Sequence, residues 1–108
     1  MKKVIIVDPG PIGQALKSVL ELKGGMEVLI VKNEDELVDA LGTFPAEAMV
    51  VAALNDKPLQ SFACDNARPG QKIVQLGWGK EPEVPRSDPQ YVRLPIMGEA
   101  IVKLLLEI

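Results

Sequence analysis

Stretches rich in valine and isoleucine recur at residues 3–7, 26–31, 49–53 and 72–76, and helical patterns separate them. A strand that is apolar on both faces has to be covered on both faces, which is the condition of a parallel sheet between two layers of helices. In the first interval Ile12, Ala15, Leu16, Val19 and Leu20 recur at helical spacing, with Lys17, Ser18 and Glu21 turned outward, and Gly24-Gly25 stops the helix. The second helix opens at Asn33, an N-cap residue, with Glu36 placed three residues later to close a capping box. Its buried stripe is predicted at Leu37, Val38 and Leu41, with Gly42 as its end. A third helix is predicted to start near Asp56, tolerate Pro58 in its first turn, and finish before Pro69-Gly70.

Beyond the fourth strand the pattern changes. Residues 77–90 contain Pro82, Pro85 and Pro89 and no apolar periodicity, which argues against a helix. Residues 91–94 read as a short last strand. Pro95 then leads into a final helix with Met97, Ala100, Ile101, Leu104, Leu105 and Ile108 on one face. The expected fold is α/β: a flavodoxin-like, doubly wound, five-stranded parallel sheet of order 2-1-3-4-5, with the fourth helix replaced by a proline-rich loop. Residues 1–108 are expected to form a single domain.

Composition removes several function classes. The chain is 47% hydrophobic, but its longest apolar runs reach only about five to seven residues, against the ~20 of a membrane-spanning helix. Asp8 and Pro9 end the first apolar run too early for a signal peptide. A net charge of −3 without a basic cluster gives nucleic acid no electrostatic footprint. The chain has no histidine, so the commonest general base and metal ligand is missing. Cys64 is the single cysteine, which rules out an internal disulfide and fits a reducing cytoplasm. No nearby base accompanies it, and it reads as packing.

In a doubly wound sheet, chemistry is placed at the carboxyl ends of the strands. The third strand ends there in Ala52 and Ala53, which offer no nucleophile, metal ligand or transferable proton. The chain here resembles the receiver domains of two-component response regulators, through element order, spacing and strand ends over nearly its whole length. VIIVDPGPI is similar to the family's first strand, which ends in paired metal-binding acids; Asp8 is present and Pro9 stands at the second acid. The resemblance sets Ala52 at the phosphate-accepting aspartate, Gly77 at the phosphate-sensing hydroxyl, and Leu94 at the lysine before the proline, with Arg93 one residue away. It also implies a cis Leu94-Pro95 peptide. Phosphoryl transfer onto a carboxylate needs the acceptor, a divalent cation and groups for the new phosphoryl oxygens. The resemblance therefore implies a degenerate, pseudo-receiver type: no catalytic residue, no cofactor, and Asp8 as a residual acid and weak metal candidate. Its role would be a stand-alone, phosphorylation-independent interaction module in signal transduction. Its partner would be a protein or a second copy, with no nucleic acid and no membrane.

A rival reading starts from Gly10 and Gly13, which resemble part of a dinucleotide-binding turn, with Glu34 about 20 residues on where a ribose-binding acid is expected. Asp8 in place of the first glycine and Pro11 without an N–H weigh against it; the plain alternative is a tight turn with close helix packing. Asp56 is a displaced acceptor or, more ordinarily, an N-cap. Asp8 is a leftover metal ligand or a partner for Arg93. Trp78, between Gly77 and Gly79, is a buried anchor over the uncovered sheet or a partner-binding hot spot. Val102 and Leu106 lie outside the last helix's stripe and are expected to form, with Trp78, an apolar seam for association.

Overall fold

In a computed structural model, which describes residues 2–82, 84, 89–95 and 98–107, nine elements follow one another. They are β1 (Lys3–Val7), α1 (Ile12–Gly24), β2 (Glu27–Val31), α2 (Glu34–Thr43), β3 (Ala48–Val51), α3 (Lys57–Asn66), β4 (Lys72–Gly77), β5 (Gln90–Arg93) and α4 (Gly98–Leu106). All strand pairs are parallel and the order is β2-β1-β3-β4-β5. This is the expected sheet. Among the described residues between β4 and β5 there is no helix, so α4 corresponds to the fifth helix of a doubly wound sheet of this order.

Strand alternation divides the core in two. Val4, Ile6, Val50, Val74 and Leu76 face α1 and α4, while Ile5, Val7, Met49 and Val51 face α2 and α3. Three helix ends have a visible cause in the chain. Gly25, at φ +62°, closes α1 in the left-handed conformation that a Cβ would strain. Asn33 caps α2, accepting from Glu36 N at 2.8 Å, and the Glu36 carboxylate reaches back to Lys32 N at 2.9 Å. That return bond falls one residue earlier than in a standard capping box. Asp56 caps α3 by accepting from Leu59 N at 3.1 Å.

Several predicted faces rotate. In α2 the buried pair is Leu37 and Ala40, and Val38 is exposed. Ala15 of α1 also faces solvent. The largest change concerns α4, where Ile101, Val102 and Leu105 are buried and Ala100 is exposed; Met97 and Ile108 lie outside the described residues. Val102 is therefore core and not surface. The reason lies in α1: a Cβ at Gly24 would fall 3.2 Å from Val102 Cγ1 and 3.0 Å from Met26 Cε. The bare backbone there lets α4 approach closely enough to take Val102 inside. Leu106 does remain exposed, at 54%.

Candidate functional site

Asp8 follows β1 at the carboxyl edge and is 97% enclosed, being only 3% exposed. Its Oδ1 accepts from Gly10 N at 2.9 Å and its Oδ2 from Gly13 N at 2.5 Å. The first residues of α1 present amides without intrahelical partners, and Pro11 at the N-cap offers no side-chain acceptor. Asp8 does that work from outside the helix, with its negative charge at the positive end of the helix dipole. Gly13 is needed for this contact, because a Cβ there would meet Asp8 Cβ at 3.1 Å and Oδ2 at 3.2 Å.

This geometry bears on three of the sequence alternatives. Arg93 is not the partner of Asp8: β3 and β4 lie between their strands, and three spacings of ~4.8 Å put them about 14 Å apart. Both carboxylate oxygens of Asp8 are engaged by amides, and among the described residues no group of three or more His, Cys, Asp or Glu side chains could hold a metal. The amides of the Gly10–Gly13 turn, which a pyrophosphate would need, already hold the chain's own carboxylate. Glu34 is an exposed acid in the first turn of α2 beside Asp35 and Glu36, where it favours the helix dipole.

Beside Asp8, β3 ends in a packed apolar surface. Ala52 is fully buried, and its N–H continues the sheet by donating to Val7 O at 2.9 Å. Asn55, at φ +63°, makes the turn that delivers Asp56 to its capping position. Leu94, just past β5, turns into the core with 9% exposure. Its N–H donates to Gly77 O at 2.6 Å, and the Leu94-Pro95 peptide is cis, as the resemblance implies.

Among the described residues no helix covers one face of β4 and β5, and side chains close it instead. Gln75, Gly77 and Tyr91 share that face, and Gln75 and Tyr91 are register partners. The Tyr91 ring lies across Gly77, where a Cβ would stand 2.6 Å from Oη and 2.9 Å from Cε1. Tyr91 Oη donates to Gly79 O at 2.6 Å. Gln75 Nε2 donates to Gln60 Oε1 at 3.3 Å and to Val84 O at 3.2 Å, and Gln60 Nε2 donates to Ala53 O at 2.8 Å. Both glutamines are buried. The aromatic group covering the sheet is thus Tyr91, and Trp78 is 55% exposed, which corrects its reading as a buried anchor. Sequence reasoning passed over Tyr91, Gln60 and Gln75. One signal was available: Gln75 interrupts the apolar run of β4, and a polar side chain in such a run requires a buried partner.

The predicted Trp78–Val102–Leu106 seam does not assemble. Trp78 is at the carboxyl edge, whereas Leu105 O accepts from Lys2 Nζ at 2.9 Å, which fixes the end of α4 at the amino edge. Cavities of about 420 to 520 Å³ also lie at the amino edge, around Arg68 and Gln71, away from Asp8. Cys64 is half-buried in the wall of one of them.

No family model and no curated relative matches the chain. Solved structures do. The chemotaxis response regulator CheY4 of Vibrio cholerae superposes with a TM-score of 0.78 at 18% identity, over 99% of this chain and 98% of that one. The CheY-like receiver domain from Methylobacillus flagellatus gives 0.76 at 18% identity, over 99% and 98%. A response regulator receiver modulated diguanylate cyclase from Pelobacter carbinolicus gives 0.70 at 18% identity, over 99% and 94%. The chain has the fold of response regulator receiver domains. At this identity the likeness is one of fold.

Proposed function

We propose that this chain is a degenerate receiver-like domain, folded as one unit over residues 1–108, that serves signal transduction as a phosphorylation-independent protein-interaction module. The observation that carries this reading is the chemistry of the carboxyl edge. Where receivers accept, sense and neutralise a phosphoryl group, this chain has the buried methyl of Ala52, the bare backbone of Gly77 and the core-facing Leu94. The remaining acid, Asp8, is engaged in capping α1. No step of phosphoryl transfer has a group to perform it. The fold is retained and its reaction centre is packed, which suits a domain whose output is its surface.

The partner in this reading is a protein or a second copy of the chain, and the setting is the cytoplasm; no described helix is long and apolar enough to cross a membrane. The half-exposed indole of Trp78 is the contact residue, since aromatic anchors on loops concentrate binding energy. Leu106 is a separate exposed apolar residue at the other end of the fold. Incubation with acetyl phosphate and magnesium followed by intact-mass measurement tests the proposal. The expected spectrum shows no acid-labile phosphoryl adduct, and an adduct on Asp8 or Asp56 would overturn it. Thermal shifts with magnesium, ATP and NAD complete the test. A ligand at ~100 times its Kd adds about 2.7 kcal/mol of stability, so a clear shift with a nucleotide would favour the rival nucleotide-binding reading.

A further inference from the structure

We infer that Tyr91 and Gln75 are positioning residues that pin the loop after β4 at two points and so fix Trp78 in its outward setting. The inference rests on the reading of Trp78 as the contact residue, and adds what holds it in place. Prolines supply no backbone N–H, so Pro82, Pro85 and Pro89 take three donors out of the segment after β4. Among the described residues, two side chains that are register partners on one face of the sheet tie it to the body of the domain, at Gly79 O and at Val84 O.

The first tie determines where Trp78 points. The Tyr91 ring occupies the space over Gly77, and its hydroxyl holds the carbonyl of Gly79. Trp78 is the residue between these two points. With the space over Gly77 already filled, its indole stands 55% exposed. The second tie is rooted in the core, since Gln75 leans on Gln60 and Gln60 on the Ala53 carbonyl at the end of β3. Burial of both glutamines makes each missing bond costly, so the anchor holds one arrangement. An indole already held in its binding position has less freedom to lose when a partner arrives.

Trp78 is the single tryptophan, so its fluorescence reports this directly. Tyr91→Phe removes only the hydroxyl, and Gly77→Ala places a methyl where the ring lies. Both are expected to lower Trp78 anisotropy. A half-exposed indole released to solvent should also show an acrylamide quenching constant higher by about twofold, with the far-ultraviolet dichroism unchanged. Gln75→Leu should speed amide exchange around Val84. Tyr91→Phe is the decisive variant if Gly77→Ala fails to fold. Anisotropy and quenching equal to the parent in a folded Tyr91→Phe protein would overturn the inference, whatever Trp78 binds. Conversely, if Trp78→Ser leaves association unchanged while Tyr91→Phe frees the indole, the positioning stands and the contact reading falls.

Discussion

Replacing Asp8 by alanine separates a structural acid from a vestigial functional one. The variant removes a charged acceptor from two backbone amides, Gly10 N in a partly buried position and Gly13 N in a buried one. A hydrogen bond to a charged group contributes about 1.5–3 kcal/mol, and a buried donor left without a partner costs about 1–3 kcal/mol. Water can reach Gly10 N after the substitution, so its loss falls at the low end; Gly13 N takes most of the penalty. Loss of the charge at the N-terminus of α1 adds about 0.3–1 kcal/mol. The expected destabilisation of Asp8→Ala is therefore about 3 kcal/mol. With an m value of about 1.5 kcal/mol/M, the urea midpoint should fall by about 2 M with m unchanged. Asp8→Asn, which keeps one acceptor oxygen, should lose roughly half as much. Urea unfolding followed by Trp78 fluorescence and far-ultraviolet dichroism measures both variants. A residue kept for metal binding typically costs the fold stability, so its removal is neutral or stabilising. If Asp8→Ala unfolds within ~0.5 kcal/mol of the parent, the capping argument is wrong and a functional role for the acid returns.

The rotated face of α4 predicts a contrast between two apolar residues once read together as one seam. Val102→Asp places an unpaired charge in the core and should cost ~3 kcal/mol or more, whereas Leu106→Asp should stay within about 0.5 kcal/mol; equal effects would contradict the packing at Gly24. The exposed ion pair of Lys23 with Glu99, which joins α1 to α4, gives a pH signature. The hydrogen bond from Lys23, and then its charge, hold the Glu99 carboxyl below the ordinary carboxylate range. A depressed folded pKa contributes stability above the unfolded value and loses it as pH falls through the folded one. The small advantage of the parent over Glu99→Gln should therefore be present at neutral pH, vanish in acid, and shrink in high salt. An advantage that grows on acidification would refute the assignment.

The parts of this molecule that were legible in the sequence are those written in local patterns. Strand runs, the Asn33 and Asp56 caps and the Gly25 stop each depend on a few neighbouring residues, and the structure carries them; among the described residues between β4 and β5 it also has no helix. Alternation of strands and helices pointed to a doubly wound parallel sheet, for which the flavodoxin-like order 2-1-3-4-5 is a common arrangement, and the structure has that order. The helix faces were less legible. Val38 and Val102 are equally apolar, yet one is exposed and the other buried, because burial depends on how closely a neighbouring helix can approach. That distance is set at Gly24, far from Val102 in the chain.

The candidate site divides along the same line. On the receiver resemblance, Ala52, Gly77 and Leu94 each stand at a strand end where a reacting group is expected, and that reading was available in the sequence. What fills the gaps was not readable, because each filler comes from another element: a carboxylate reaching forward to the amides of α1, a tyrosine from β5 over a glycine of β4, and a glutamine of α3 supporting one of β4. These replacements are mutually consistent. Asp8 is held by the amides at the start of α1, and the space over Gly77 is closed by the Tyr91 ring. The carboxyl edge around these groups is a packed part of the fold, and on the proposed reading a signal acting through the domain enters by contact with its surface.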